Sequence, residues 1–242
     1  MRYGIISDIH GNLEALQAAL DDLSKERIDK YLCIGDVVGY GADPNTCIRL
    51  VKSLDPAVLI AGNHEWGVAG LLGLEYFTEI AGAAIVWTKS ALGRDEIEYL
   101  SSFKLAHEAD KFTLVHGTIE SPEKFYYMMT SDDARKNMEL TKTPLCFVGH
   151  THVPGIFYSY DGKVGYAPGP KVNIDRDKKY MINIGSIGQP RDSDPRACYA
   201  VYDDGEETVE IRRSSYDIAS AQAKILKAGL PKSLALRLAL GR

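Results

Sequence analysis

Cysteine is scarce and unpaired in this sequence. Cys33, Cys47, Cys146 and Cys198 lie far apart with no Cys-x-x-Cys spacing, which excludes a disulfide framework and a zinc knuckle. They read as small buried hydrophobes in a reducing compartment. Long apolar runs are missing too. The opening Met1-Arg2-Tyr3-Gly4-Ile5-Ile6 reaches the polar pair Ser7-Asp8 too soon for a signal-peptide core, and no later run approaches a membrane span, so the expected location is cytoplasmic. Basic charge is in deficit, with 28 Lys and Arg against 33 Asp and Glu and a net charge of -5. That balance argues against broad nucleic-acid binding, which needs a basic face. With no repeat, low-complexity tract or linker, residues 1–242 are expected to form one domain.

What is present is an alternation of short apolar runs and amphipathic stretches. Tyr3 to Ser7, Lys30 to Ile34 and Ala57 to Ala61 read as strands. Leu13, Leu16, Leu20 and Leu23, and then Cys47, Ile48, Val51 and Leu54, recur at helical spacing between them. A β-α-β-α-β order predicts a parallel sheet flanked by helices. The second half changes character. Phe112 to Val115, Leu145 to Val148, Met181 to Ile184 and Cys198 to Tyr202 are strand-like, and Asp161-Gly162 and Asp204-Gly205 are hairpin signals. Two packed sheets with helices outside fit this better than one doubly wound sheet. Residues 66–102 form a mostly helical insertion, and residues 214–240 read as two terminal helices broken around Gly229 and Pro231.

The chemistry-bearing residues follow the strands. Asp8 and His10 come after the first, Asp36 after the second, Asn63 and His64 after the third. His116 follows Phe112 to Val115, and His150 and His152 follow Leu145 to Val148. Residues just past the carboxyl ends of parallel strands meet on one rim, so five segments deliver eight metal-competent side chains to one edge. Imidazole, carboxylate and amide donors without thiolate suit hard or borderline divalent metals. Gly11, Gly35, Gly62, Gly117 and Gly149 flank them, as expected of tight loops around an ion.

The motifs Asp8-Ile9-His10, Gly35-Asp36, Gly62-Asn63-His64-Glu65, Val115-His116-Gly117 and Gly149-His150-Thr151-His152 together resemble the signature of the calcineurin-like metallophosphoesterase superfamily, in family order over residues 3 to 152. Asn183-Ile184-Gly185-Ser186 and the phrases from Gly35 to Gly41 and Gly185 to Pro195 resemble a prokaryotic branch of small predicted phosphodiesterases. The resemblance implies a four-layer α/β/β/α sandwich of two mixed sheets. It implies one metal on Asp8, His10 and His152, another on Asn63, His116 and His150, and Asp36 bridging both. A carboxylate can span ions about 3.5–4 Å apart, which an imidazole cannot. The cofactor expected is thus a pair of divalent ions (Mn, Fe, Zn, Ni or Co, with Mn foremost in vitro). They would activate a water for hydrolysis of a phosphoric ester, with His64 protonating the leaving oxygen or stabilising the transition state.

Around these residues the sequence leaves choices open. Arg191 is either a bidentate phosphate ligand or a surface partner of Asp192 or Asp194. Tyr40, Tyr126 and Tyr127 are candidates to stack on a nucleobase, whereas Phe125 and Met128 read as packing residues and His107, outside every motif, as a surface or packing residue. Leu71, Leu72, Leu74, Phe77 and Trp87 are many large hydrophobes for an outer segment. The insertion reads as a lid, a dimer surface or ordinary outer-layer helices, with these residues hinting at burial against another subunit and a homo-oligomer, and the leucines at 234, 236, 238 and 240 suggest packing against something as well. The expected substrate is a small nucleotide-like phosphodiester. A phosphomonoesterase or protein Ser/Thr phosphatase would carry the same metal site, and a catalytically silent scaffold should have lost ligands that are all present here.

Overall fold

A computed structural model describes all 242 residues. In chain order its elements are β1 (Arg2–Ile6), α1 (Leu13–Ser24), β2 (Lys30–Cys33), α2 (Pro44–Ser53), β3 (Val58–Leu59), α3 (Asn63–Ala69), α4 (Glu79–Ala91), α5 (Arg94–Ser101), β4 (Ala106–Glu108), β5 (Phe112–Val115), α6 (Ser131–Leu140), β6 (Leu145–Val148), β7 (Gly155–Tyr160), β8 (Lys163–Tyr166), β9 (Lys171–Asn173), β10 (Lys179–Asn183), β11 (Ala197–Asp203), β12 (Thr208–Ser214), α7 (Ile218–Lys227) and α8 (Lys232–Leu238). They make two six-stranded sheets, ordered β3-β2-β1-β11-β12-β9 and β4-β5-β6-β10-β7-β8. Each is mixed: β1, β2 and β3 run parallel, as do β5, β6 and β10, and the remaining pairings are antiparallel.

The strand period of two sorts side chains into layers. Ile5, Leu32, Leu114, Leu145 and Phe147 face the space between the sheets. Their neighbours turn outward, Ile6 and Cys33 toward α1 and α2 on one side, Val115, Cys146 and Val148 toward α6 on the other. Both faces of the central strands are therefore buried, which is why they read as continuous apolar runs. The result is the four-layer α/β/β/α sandwich. All four cysteines are buried and unpaired, and no helix is long and apolar enough to cross a membrane.

Local differences from the sequence reading have local causes. The third strand shrinks to Val58–Leu59 because the chain there changes partner: Lys104 N–H donates to Leu59 O, and Lys104 O accepts from Ala61 N–H. The Asp161-Gly162 hairpin forms as expected, both residues having positive φ (49° and 71°), as a two-residue primed turn requires. The Asp204-Gly205 turn is longer and is closed by Asp203 Oδ1, which accepts from Gly205 and Glu206 N–H at 3.0 Å. In the 66–102 insertion Phe77 and Trp87 find partners inside the chain, Trp87 against the cluster formed by α7 and α8. Leu71 and Leu74 stay half-exposed. On α8, Leu234 and Leu238 point inward, whereas Leu236 faces solvent.

Candidate metal centre

The candidate ligands lie on one rim where the carboxyl ends of β1, β2, β5 and β6 meet, and the backbone there is unusual. Asp8, His10, Asp36, Tyr40, His150 and His152 all have φ between 51° and 66°. Non-glycine residues in that left-handed region cost of order 1 kcal/mol each and persist where surrounding bonds fix them. Those bonds are present. Asp8 N–H donates to Gly35 O and His10 N–H to Asp36 O, each at 2.9 Å, while Gly188 N–H and the Ser186 hydroxyl both donate to Asp8 O at 2.8 Å. The sequence reading assigned the tight turns to the flanking glycines. The structure bears this out at Gly11 and Gly35, whose φ values are 60° and 94°, and adds the ligand residues themselves to the turns, while a Cβ at Gly62 or Gly149 would overlap Asp36 Oδ1 or Asp8 Oδ2.

Two clusters of donor atoms result, Asp8 with His10, Asp36 and His152, and Asp36 with His116 and His150. Asp36 is common to both. His152 Nε2 lies 3.1 Å from Asp8 Oδ1, and Asp36 Oδ2 lies 3.2 Å from His116 Nε2 and 3.7 Å from His10 Nε2. Asn63, which the sequence placed at a strand end, instead opens α3. Its Oδ1 is buried without a partner, and so is His116 Nε2 in hydrogen-bond terms.

Main-chain carbonyls set the ring tautomers. Nδ1 of His10, His116 and His152 lies 3.2, 2.7 and 2.6 Å from the carbonyls of Val38, Ile34 and Gln189. A carbonyl only accepts, so each Nδ1 carries a proton and each Nε2 turns inward, as a lone pair on the neutral rings of His10 and His152. His10 Nε2 and His152 Nε2 then face each other at 3.0 Å. Two lone pairs at that distance repel unless a proton or a cation sits with them.

The electrostatics agree with a demand for positive charge. Burial pushes His10 far down, His150 to about 3 and His64 to about 4. Burial acts the same way on His116, but Asp36 and Asp8 override it and lift that ring to about 10. Burial would raise both carboxyls, yet His116 and its neighbours hold Asp36 well below its usual value, and His152 and His116 hold Asp8 down. Carboxylates kept ionised in a buried pocket among mostly neutral imidazoles are the donor set that suits a divalent ion.

Three supporting residues escaped assignment from sequence. Glu65, fully buried, accepts from the N–H groups of Asp36 and Val37 at 2.7 Å, Gly62 at 2.8 Å and Val38 at 3.3 Å, so one carboxylate pins the Asp36 loop to the start of α3. Asn183 donates to Gly149 O and Thr151 Oγ1 at 2.7 and 2.8 Å, bracing the turn that carries His150 and His152. Ser7 donates to Asp8 Oδ2 at 2.6 Å. Glu65 and Asn183 stood inside quoted motifs, but nothing in their spacing showed which backbone groups they would reach.

His64 stands edge-on to His10 and Tyr40, with ring centroids 4.7 and 4.5 Å away, and its backbone N–H donates to Asp36 Oδ1. Arg191 is not a surface ion pair. Asp192 is bound by Arg213 and Asp194 by Arg196, whereas Arg191 donates to Gln189 Oε1 at 2.9 Å and lies 6.0 Å from the Tyr40 ring centroid. On the opposite flank a cavity of about 480 Å³ opens beside Asn63 and His150, walled by Trp66, Leu72, Tyr126 and Tyr127 among others. Tyr126 is exposed there, and Tyr127 stacks on His150 at 4.1 Å. Phe125 and Met128 are buried, and His107 is on the edge strand β4 outside the rim.

Comparison with known proteins gives a consistent picture. The family model for the calcineurin-like phosphoesterase superfamily domain matches residues 1–206. An uncharacterised protein of Methanocaldococcus jannaschii is 41% identical over 244 residues, covering 98% of this chain and 97% of its own length. A symmetrical bis(5'-nucleosyl)-tetraphosphatase of Nitrosospira multiformis is 30% identical over 115 residues, 46% of this chain and 41% of its own. The crystal structure of a metallophosphoesterase from Sphaerobacter thermophilus is 38% identical and superimposes with a TM-score of 0.87, with 100% of both chains covered. Rim, fold and family model converge: this chain belongs to the calcineurin-like phosphoesterase superfamily.

Proposed function

We propose that the protein hydrolyses phosphoric esters with two divalent cations held on this rim, one by Asp8, His10 and His152, the other by Asn63, His116 and His150, with Asp36 shared. The observation that carries this reading is the pair of facing Nε2 atoms of His10 and His152 at 3.0 Å, together with the unpartnered Asn63 Oδ1. These are acceptor atoms with nothing to accept from inside the protein. Bound there, the cations supply a water of lowered pKa and offset the charge that develops on the phosphoryl oxygens. The chain contributes position: Glu65, Asn183 and the three carbonyls fix the donors before any ion arrives. His64, held at about 4 by burial, meets a substrate as a neutral ring. Its part is then to donate an N–H hydrogen bond to a phosphoryl or leaving oxygen, not to deliver a proton from an imidazolium.

The substrate we assign is a nucleotide-containing diester or polyphosphate. The cavity beside Asn63 and His150 is apolar and aromatic, which suits an organic substituent, and the partial likeness to bis(5'-nucleosyl)-tetraphosphatases points the same way. A panel of substrates tests it. Turnover per unit KM should be higher for dinucleoside polyphosphates or nucleotide diesters than for sugar phosphates or phosphopeptides. Tyr126→Ala should raise KM for the nucleotide substrates by about tenfold, the scale of one lost base–aromatic stack. Faster turnover of phosphopeptides, with Tyr126→Ala without effect, would move the assignment to a phosphomonoesterase.

A further inference from the structure

Of the four imidazoles assigned to metal, three have their rings fixed by a main-chain carbonyl at Nδ1, and His150 does not. His10, His116 and His152 rest on Val38, Ile34 and Gln189. His150 is bonded through its backbone N–H, 3.2 Å from each carboxylate oxygen of Asp8, and no protein group bonds either nitrogen of its ring. A ring without an orienting partner holds an ion less well, because binding must also order it. In place of a carbonyl, His150 has the ring of Tyr127, stacked on it with centroids 4.1 Å and planes 15° apart. The aromatic contacts of His10, His64 and His116 are all tilted or edge-on. The stack is built by the chain that follows β5. A Cβ at Gly117, beside His116, would lie 2.7 Å from Tyr126 O and 3.1 Å from the Phe125 carbonyl carbon, so glycine there lets the segment 125–127 close over the rim. Phe125 turns in the left-handed region, φ 50°, and its buried ring stands edge-on to Trp66 at 5.4 Å and to His116 at 6.2 Å. One segment thus sets an aromatic ring against each imidazole of the second donor cluster. An imidazole that gives its lone pair to a dication becomes electron-poor, and the negative face of a phenol ring attracts it more strongly than it attracts the free base. The contact therefore gains strength when the ion is bound, and that gain is ion affinity.

We propose that Tyr127 is a positioning residue of the metal centre: its ring orients His150 and so sets the affinity of the ion held by Asn63, His116 and His150, without acting on the ion held by Asp8, His10 and His152. The inference rests on the two-ion reading of the rim. It also removes Tyr127 from the residues available to stack on a substrate base and leaves that part to Tyr126.

The test is calorimetric titration of Mn²⁺ into the full chain after its metal has been stripped by chelation. Wild-type protein should take up two ions. Tyr127→Ala should weaken one of them about tenfold, the scale of losing a group that orients a metal ligand. The weakened step should be the one that His116→Ala abolishes, and the step that survives in His116→Ala should keep its affinity. Tyr127→Phe should restore most of the loss, since it keeps the ring face, whereas Tyr127→Leu, which keeps bulk alone, should not. Should Tyr127→Ala fail to fold, Leu against Phe at this position decides. Equal affinities in wild type and Tyr127→Ala, equal weakening of both ions, or a Leu variant as tight as Phe would each overturn the assignment. So would a raised KM for nucleotide substrates with both metal affinities unchanged, which would return Tyr127 to nucleobase stacking. Uptake of fewer than two ions by wild type would instead overturn the two-ion reading itself, so the two failures are told apart.

Discussion

Asp36→Asn is expected to be the most damaging conservative change in the molecule, lowering turnover of an aryl phosphodiester by at least about 10³-fold and metal content from two ions to one or none. Asp36 is the one side chain common to both donor clusters, and its carboxylate already lies within 3.7 Å of ring nitrogens from both. Removing one partner from a buried charge set costs about 3–5 kcal/mol, which is about two to three and a half decades in affinity for each ion that depended on it. The isosteric amide keeps an oxygen for His64 N–H, so Asp36 Oδ1 geometry should survive and the protein should fold. Metal analysis by mass spectrometry alongside kinetics checks this. A variant that retained two ions and wild-type turnover would remove Asp36 from its shared role.

His64→Ala should separate catalysis from metal holding. Turnover should fall about 10²-fold, the usual effect of deleting one hydrogen-bond donor aimed at developing negative charge, while two ions stay bound. The deficit should shrink for substrates with good leaving groups. Because burial keeps His64 at about 4, its ring is neutral in the free enzyme throughout the range above pH 5. His64→Ala should therefore lower the kcat/KM profile without moving its limbs between pH 5 and 9. Metal loss equal to that of His116→Ala would make His64 a ligand, and a limb near pH 6 to 7 that disappears with the ring would restore the proton-donor role.

The placement of the ligands was legible in the sequence because it depends on one rule, that loops after neighbouring strands share a rim. Asp8, His10, Asp36, His116, His150 and His152 were found that way, and the structure brings them within one pair of clusters. What the sequence did not disclose depends on contacts between distant segments. The four N–H groups gathered by Glu65 come from two loops 24 to 26 residues apart, and the packing of Trp87 against α7 and α8 joins segments more than 130 residues apart. Arg191 was ambiguous for the same reason: only the fold shows that Arg213 and Arg196 have already engaged the aspartates beside it.

The central claim is a two-ion centre that shares Asp36, and anomalous diffraction from crystals grown with Mn²⁺ tests it directly. The account predicts two peaks, one enclosed by Asp8, His10, Asp36 and His152, the other by Asp36, Asn63, His116 and His150. A single peak, or two peaks of which Asp36 touches only one, would contradict it.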